Sequence, residues 1–311
     1  IHTGDSMVIA PAQTLTHEQD EMLRKAAINI VQALNIKGGC NVQFALKPDG
    51  MQYYVIEVNP RLSRSSALAS KATGYPIARV ATKIALGYGL DEIRYGNAGS
   101  FSAASEPALD YVVLKIPRWP FDKFVGADKA LGTKMKATGE VMAVGCDFED
   151  ALLKAVRSLE LGMDHIYLDS LAEEDTGQII KKLENKTDER LFVIAEALRR
   201  GVPIDVISEK TSIDIYFIEK IHGIILFEEE LKKIGPKGLN GTVLHKAKKM
   251  GLSDITIARL TGLPASKVRH MRKKWGIEAV YRAIGTETVA KKNIDAYYSA
   301  YDGKGRVKID R

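Results

Sequence analysis

The chain contains little cysteine and no long apolar segment. Its 311 residues include two cysteines, Cys40 and Cys146, too few for the disulfide framework of a small secreted domain or for a cysteine-based zinc site. We expect both to be buried thiols in a reducing cytosol. No apolar run approaches the roughly 18–20 residues that a membrane span requires, and the N-terminus lacks the charged and then apolar order of a signal peptide. These absences argue against a disulfide-stabilised secreted scaffold and against a membrane-spanning helix.

The sequence also lacks a glycine-rich phosphate-binding loop of either common type. What it does contain is ordinary for a globular protein with a full core, since 45% of the residues are apolar and 27% are charged. At roughly 100–200 residues for each domain, a chain of this length suggests two domains.

The excess positive charge is confined to the second half of the chain. Residues 1–150 carry 16 Lys and Arg against 16 Asp and Glu, whereas residues 151–311 carry 29 against 23. Most of the excess lies in 246–274, where nine basic residues face a single acid, Asp254. A clustered basic patch is typical of nucleic-acid binding, and also of a solvated helix face or of a face docked on an acidic neighbour.

Strand and helix patterns alternate in the first half, and helical patterns dominate the second. Strands are predicted at 7–10, 41–47, 53–58, 111–116 and 140–144. From Asp147 onward, helices are predicted at 149–160, 176–185, 188–200, 213–233, 242–250, 253–260 and 265–274. We therefore predict an α+β domain over 1–161 and an all-α domain over 162–311, with the boundary at Leu161-Gly162-Met163.

The most informative segment is a predicted hairpin with a polar face. If the two strands pair around a loop at 48–52, Gln43 lies opposite Glu57 and Asn41 lies opposite Asn59. Because side chains alternate between the faces of a strand, three of them share one face: Gln43, Glu57 and Asn59. The apolar residues between them share the other face, which we expect to lie against a core.

Two interpretations of this polar face remain open. It could be the wet side of a half-exposed antiparallel sheet. It could also be a metal and phosphate site, because carboxylate and amide oxygens suit a hard divalent cation such as Mg²⁺, which proteins hold with one or two carboxylates and substrate phosphates. Two arginines follow directly, Arg61 and Arg64, and their forked, fixed charges would bind anionic groups.

Several strings in this region resemble known enzymes. The hairpin, Asn41-Val42-Gln43-Phe44 followed by Ile56-Glu57-Val58-Asn59-Pro60-Arg61, is similar to the metal-binding hairpin of ATP-grasp enzymes. The longer run from Asn59 to Gly74 resembles the large subunits of carbamoyl-phosphate synthetases, which contain two similar ATP-grasp halves. His2-Thr3-Gly4-Asp5-Ser6 and Arg64-Ser65-Ser66-Ala67 resemble the first half, which makes carboxyphosphate.

The resemblance is close over 1–150 and looser over 151–311, where the family has a helical oligomerisation domain. It is weakest at 283–298, where Gly285-Thr286-Glu287-Thr288 replaces an expected Asp-Thr-Cys-Ala run. The implied fold is the C-terminal lobe of an ATP-grasp domain, an antiparallel sheet with helices, followed by an all-α domain.

The resemblance also implies roles for individual residues. Gln43, Glu57 and Asn59 would hold Mg²⁺ or Mn²⁺, two ions in all, against the phosphates of ATP. Arg61 and Arg64 would be catalytic, steadying the bicarbonate-derived oxygens and the transferring phosphoryl group. His2 would lie near the nucleotide phosphates, so that His2, Gln43 and Glu57 are the implied ATP-binding residues.

The implied reaction is ATP-dependent phosphorylation of bicarbonate to carboxyphosphate, which ammonia converts to carbamate on the way to carbamoyl phosphate for arginine and pyrimidine biosynthesis. The implied partners are a glutaminase small subunit, the N-terminal ATP-grasp lobe and second half of the large subunit, and further copies in an oligomer. No membrane or nucleic-acid partner is implied. Because the lobe that holds most of the nucleotide precedes these residues in the family, we expect the 311-residue chain alone not to turn over ATP.

Residues 253–274 support a rival interpretation, a helix-turn-helix. Ser253 caps a first helix, Gly262 lies at the turn, and the second helix carries five basic residues: Lys267, Arg269, Arg272, Lys273 and Lys274. Such a helix could enter the major groove of DNA, although it has no Asn or Gln to read adenine edges. The alternatives are therefore another ATP-grasp carboxylase or ligase, and a helix-turn-helix DNA-binding protein.

Overall fold

The computed structural model describes residues 1–48, 50–96, 99, 101–124, 126–285 and 296–302. They form two compact units. Unit 1 comprises Ile1–Ile9, Tyr111–Arg282 and Ser299–Arg311, and unit 2 comprises Ala10–Asp110 and Ala283–Tyr298. Asp49 of the hairpin loop and residues 286–288, where the resemblance departs from the family, lie outside the described residues.

Strands and helices alternate in the first half of the chain, and helices predominate in the second half. This confirms the predicted α+β part with antiparallel sheets and the mostly helical part after it. In chain order the elements are β1 (Val8–Ala10), α1 (His17–Ala33), β2 (Asn41–Leu46), β3 (Tyr53–Asn59), α2 (Arg64–Thr73), α3 (Ile77–Ala85), β4 (Arg94–Tyr95), β5 (Phe101–Ser102), β6 (Val112–Arg118), β7 (Gly139–Gly145), α4 (Phe148–Arg157), α5 (Asp169–Ala172), α6 (Thr176–Lys182), α7 (Arg190–Arg199), α8 (Ile204–Thr211), α9 (Ile215–Gly238), α10 (Gly241–Lys249), α11 (Asp254–Thr261), α12 (Ala265–Lys274), β8 (Val280–Ala283) and β9 (Tyr297–Ala300).

Unit 1 is built on a three-stranded sheet in the order β1-β6-β7, with β6 and β7 antiparallel. Helix α4 packs on this sheet. Asp147 starts the helix by accepting a hydrogen bond from the Asp150 N–H at 2.9 Å, and the face that follows is fully buried, with 0% exposure at Ala151, Leu152, Leu153 and Ala155. The same core continues into the later helices, for example at Ile218 and Ile221 of α9. At about 1.5–3 kcal/mol for each large apolar side chain, this shared burial holds sheet and helices in one unit.

The boundaries between the two compact units do not fall near residue 162. Residues 111–161 belong to the same unit as the helices that follow, because α4 contributes its buried face to the common core. A division into domains over 1–161 and 162–311 stays a prediction.

The helices of unit 1 begin and end close to the predicted positions, and two were missed. α12 runs over Ala265–Lys274, as predicted, whereas no helix was predicted at the positions of α5 and α8. The residue that follows α8 and caps its C-terminus is Ser212, which has a φ of 54°. A serine in this left-handed conformation gives no glycine stop signal, so the helix boundary cannot be read from the sequence. No helix in the described part of the chain is both long enough and apolar enough to cross a membrane.

Unit 2 has a small core beside its hairpin. Val80, Ile93, Tyr95 and Ala103 are buried together, and Tyr95 stacks on Phe101 with ring centroids 5.2 Å apart. Strands β2 and β3 form a separate two-stranded sheet, as do β4 and β5. The hairpin that carries the predicted polar face is therefore a ribbon outside this core.

Candidate metal and phosphate site

The antiparallel pairing of β2 with β3 places the predicted polar residues on one face. Asn41 lies opposite Asn59 and Gln43 lies opposite Glu57, which confirms the pairing predicted from the sequence. Directly opposed residues point to the same side of a sheet, and residues two apart on one strand do so as well. Gln43, Glu57 and Asn59 therefore form a continuous row, called here the polar row.

The pairing changes beyond the polar row. Phe44 lies opposite Val55 and not Ile56, because a β-bulge falls between Gln43 and Phe44 in the register. The single register predicted for the whole hairpin is therefore wrong past this point. A bulge adds one unpaired residue and increases the local twist of the strand, so it alters the direction of the strand next to Glu57.

The apolar face of the hairpin does not lie against a core in the described part of unit 2. Of the four apolar residues predicted on this face, Ile56 is 55% exposed, whereas Val42, Phe44 and Val58 are half-buried. The expectation of burial was therefore wrong for Ile56, and the other three are only partly covered. The reason is that β2 and β3 form a sheet of two strands, and the core of unit 2 is formed by α3 and the residues around β4 and β5.

Within the polar row, Glu57 and Asn59 contact each other. The Asn59 Nδ2 group donates a hydrogen bond to Glu57 Oε1 at 2.9 Å. This bond uses the amide nitrogen of Asn59, so the amide oxygen is not the atom that contacts the carboxylate. Glu57 is exposed and Asn59 is half-buried.

The donor set of the polar row fits a hard divalent cation only in part. Within the described residues, no cluster of three His, Cys, Asp or Glu side chains could hold a metal ion, and the row itself combines one carboxylate with two amides. Mg²⁺ is commonly held by one or two carboxylates together with substrate phosphates and water. The row therefore suits an ion that arrives with a phosphorylated substrate better than a permanently bound ion.

Cationic groups follow the polar row along the chain. Arg61 and Arg64 are both exposed, and Arg64 is the first residue of α2. Ser63 caps this ten-residue helix in a capping box with Ser66, a start that leaves further N–H groups and the positive end of the helix dipole beside Arg64. The two guanidinium groups and the helix start together favour an anion here.

The remaining predicted site residue, His2, belongs to unit 1. It is half-buried and precedes a 3₁₀ turn at Thr3–Asp5. The groups that surround this turn had no predicted role; among them are Asp5, Lys115 and Trp119. Asp5 stands in the string that carries the resemblance, but its contacts lie more than 100 residues away and have no local signal.

The predicted helix-turn-helix has the expected shape, with Gly262 in the left-handed conformation between α11 and α12. Part of its positive charge is already paired. Asp254 contacts Lys248 Nζ at 3.0 Å and Arg272 Nε at 3.1 Å, and Arg259 lies over the ring of Tyr167. Arg272 is thus paired with an acid of this chain and does not present a free positive charge to DNA.

The two cysteines are free, as expected, but half-buried and not fully buried. Burial raises the pKa of both thiols, which disfavours the reactive thiolate.

Two family models match the chain. The model for the ATP-binding domain of the carbamoyl-phosphate synthase L chain matches residues 1–93, and the model for the oligomerisation domain of the carbamoyl-phosphate synthetase large chain matches residues 140–276. Together they cover about three quarters of the chain. The chain is also 53% identical over 302 residues to the carbamoyl phosphate synthase large chain of Caldanaerobacter subterraneus subsp. tengcongensis.

The chain belongs to the carbamoyl-phosphate synthetase large-chain family. Large chains from Thermoanaerobacter sp. and Clostridium perfringens are 52% and 50% identical over 310 residues. These matches cover 97–99% of this chain and 28–29% of each relative. The chain thus spans less than a third of the length of the large chains that it matches.

Family membership confirms the predicted fold class, an ATP-grasp part followed by a helical oligomerisation domain. The polar row and both arginines lie in the matched ATP-binding domain, as does His2. The helix-turn-helix lies in the matched oligomerisation domain, where it has a place in the large-chain fold without DNA.

Proposed function

We propose that this chain contributes the metal-binding and phosphate-binding part of the site that makes carboxyphosphate in a carbamoyl-phosphate synthetase large chain. The observation that carries the proposal is the polar row, with Gln43 opposite Glu57 and the Asn59 amide bonded to the Glu57 carboxylate, in a domain matched as ATP-binding.

In this proposal, the side-chain oxygens of Gln43, Glu57 and Asn59 would hold the two Mg²⁺ or Mn²⁺ ions that accompany ATP. The ions supply charge neutralisation at the phosphates, and phosphoryl transfer depends mainly on such positioning and charge. Arg61 and Arg64 bind the oxygens of bicarbonate and of the phosphoryl group in transfer, where a forked guanidinium matches a planar or phosphate anion. His2 contacts the nucleotide phosphates.

The chemical steps balance without an acid or base on the protein. A bicarbonate oxygen forms a bond to the γ-phosphorus of ATP, and the bond from that phosphorus to ADP breaks. Ammonia then forms a bond to the carbon of carboxyphosphate, the bond from that carbon to the phosphate oxygen breaks, and inorganic phosphate leaves with one of the ammonia protons. The carbamic acid that remains gives its acid proton to water and becomes carbamate. We propose that a glutaminase subunit supplies the ammonia and that the rest of the large chain completes the site and uses the carbamate.

The test is Glu57→Gln in the complete large chain, measured as bicarbonate-dependent ATP hydrolysis. The amide is nearly isosteric but removes the one negative charge of the polar row, so we expect activity to fall by at least about 10²-fold, as for other charge-stabilising groups at reacting phosphates. Glu21→Gln, on the exposed surface of α1, is the matched control and should retain activity. Unchanged activity in Glu57→Gln would remove Glu57 from the metal site.

A second prediction concerns the chain alone. Because family members hold the nucleotide between two lobes and this chain carries one side of that site, we expect the 311-residue chain to show no bicarbonate-dependent ATP hydrolysis. Phosphate release, measured with and without bicarbonate, checks this. Robust bicarbonate-dependent release would show that the residues present are sufficient.

A further inference from the structure

The turn that carries His2 has internal hydrogen bonds that fix the imidazole. The Gly4 N–H donates to His2 Nδ1 at 2.9 Å, and the Asp5 N–H donates to the His2 carbonyl at 2.9 Å. Since Nδ1 accepts a hydrogen bond, it carries no proton itself, and the ring proton lies on Nε2. His2 Nε2 is therefore a hydrogen-bond donor, which suits a phosphate or hydroxyl oxygen of a ligand.

Gly4 leaves space beside the imidazole of His2. A Cβ at this position would lie 2.4 Å from Met135 Sδ and 3.1 Å from His2 Nδ1. The Met135 side chain is flexible and exposed, so it could move away, whereas a Cβ 3.1 Å from Nδ1 would crowd the imidazole.

Asp5 anchors this turn to the rest of unit 1. Its side chain is 3% exposed, and its carboxylate accepts three hydrogen bonds. Oδ1 accepts from Trp119 Nε1 at 3.0 Å and from the Ala137 N–H at 2.7 Å, and Oδ2 accepts from the Lys136 N–H at 2.8 Å. These donors come from the segments just after β6 and just before β7, so one carboxylate joins the turn to both ends of that strand pair.

Two further contacts hold the same turn from other directions. The His2 N–H donates to the Gly132 carbonyl at 2.7 Å, and Lys115 of β6 places Nζ 3.4 Å from the Gly4 carbonyl. Lys115 is 6% exposed, so its ammonium is a buried cation near the buried carboxylate. Buried charges persist where they are paired and hydrogen-bonded, and this arrangement leaves the turn little freedom.

We propose that Asp5 is a positioning residue, which through its bonds to Trp119 and to residues 136–137 holds the turn so that His2 Nε2 donates to a phosphate oxygen of ATP. This inference rests on the proposed function, because it takes ATP as the ligand of His2. Asp5 itself does not touch the nucleotide. Its effect is carried by the orientation of His2.

The test uses bicarbonate-dependent ATP hydrolysis by the complete large chain, with KM for ATP and kcat measured separately. Asp5→Asn would turn an amide N–H towards backbone N–H groups and could prevent folding, so the decisive variant is Trp119→Phe. This change removes one donor to Asp5 and leaves the two backbone donors. Trp275→Phe, at the other and more exposed tryptophan, is the matched control.

We expect Trp119→Phe to raise KM for ATP about two- to tenfold, the value of one hydrogen bond, with little change in kcat. In a His2→Ala background the same substitution should have no further effect on KM, because the group that it positions is absent. Trp275→Phe should leave both constants unchanged.

Two results would overturn the inference alone: an unchanged KM in Trp119→Phe, or an equal rise in KM with and without His2. A merely structural role for Asp5 would give that equal rise, or a fall in kcat without a change in KM. By contrast, if the unmodified large chain showed no bicarbonate-dependent ATP hydrolysis, the proposed function would fail and this inference with it, so the two failures are distinguishable.

Discussion

A buried cluster of His165, Glu228 and Arg199 predicts that unit 1 loses stability in mild acid. His165 is 3% exposed and Glu228 is 2% exposed. His165 Nε2 lies 2.5 Å from Glu228 Oε1, and Arg199 donates to the same carboxylate from Nη2 at 2.8 Å and from Nε at 3.0 Å. Within the described residues, His165 Nδ1 has no hydrogen-bond partner.

The direction of the effect follows from the pKa values of the folded state. Burial lowers the pKa of His165, with Arg199 acting in the same direction, so the folded ring stays neutral where the unfolded ring is protonated. Burial alone would raise the pKa of Glu228, but hydrogen bonds from His165 and Arg199 outweigh it and lower the pKa to about 2. In both cases the unfolded state binds a proton first, so stability falls as the pH falls.

The magnitude can be worked out from these shifts. One bound proton changes the free energy of unfolding by about 1.4 kcal/mol for each pH unit. Between about pH 6.5 and pH 5, a single proton that only the unfolded state binds removes at most about 2 kcal/mol, which is the upper limit for His165. Glu228 removes about 3 kcal/mol more as the pH falls from about 4.5 to about 2. A loss of about 2 kcal/mol is a large part of the roughly 5–15 kcal/mol that stabilises a typical domain.

Urea unfolding followed by far-ultraviolet circular dichroism, near neutral pH and near pH 5, measures this loss. His165→Gln keeps an N–H donor for Glu228 and does not titrate, so we expect the difference in unfolding free energy between the two pH values to shrink, by up to about 2 kcal/mol. His245→Gln, on the exposed side of α10, should keep the full difference. The reasoning is refuted if His165→Gln shows the same pH dependence as the unmodified chain.

Two further predictions concern the helices of unit 1, and urea unfolding at neutral pH tests both. Gly262→Ala should cost about 1 kcal/mol, because Gly262 has a φ of 72° and a Cβ there meets nothing within 4 Å, so strain alone acts. Gly223→Ala, inside α9 and equally open, should instead stabilise by about 1 kcal/mol, and a shift of the same sign in both would contradict this. Asp254→Asn should cost about 2–3 kcal/mol, because it leaves Lys248 and Arg272 without their acid, and a loss below about 0.5 kcal/mol would show that the pairs contribute little.

Local patterns in the sequence were sufficient for the polar row and for most helices. The alternation of Gln43, Glu57 and Asn59 with apolar residues fixed which side chains share a face, since the period of a strand is two. The start of α1 at Thr16 with Gln19 was equally readable, because a capping box is contained in four residues. Such features depend on neighbours along the chain and need no knowledge of the fold.

Other features had no local signal. The register shift next to Gln43 leaves no trace in the alternation of polar and apolar residues. The exposure of Ile56 depends on whether another element packs against the hairpin. Residues 111–161 group with the later helices because α4 shares one core with the β6–β7 sheet and with those helices.

The sequence by itself determined the family resemblance, the α+β character of the first half, the helical character of the second half and the residues of the polar row. Short sequence motifs and the short repeat periods of strands and helices carry this information. Tertiary structure alone decided how His2 is held. Asp5 meets Trp119 and residues 136–137 across separations of 114 to 132 residues. A hydrogen bond between such distant residues forms only when the course of the whole chain brings donor and acceptor within about 3 Å, and no local pattern encodes that distance.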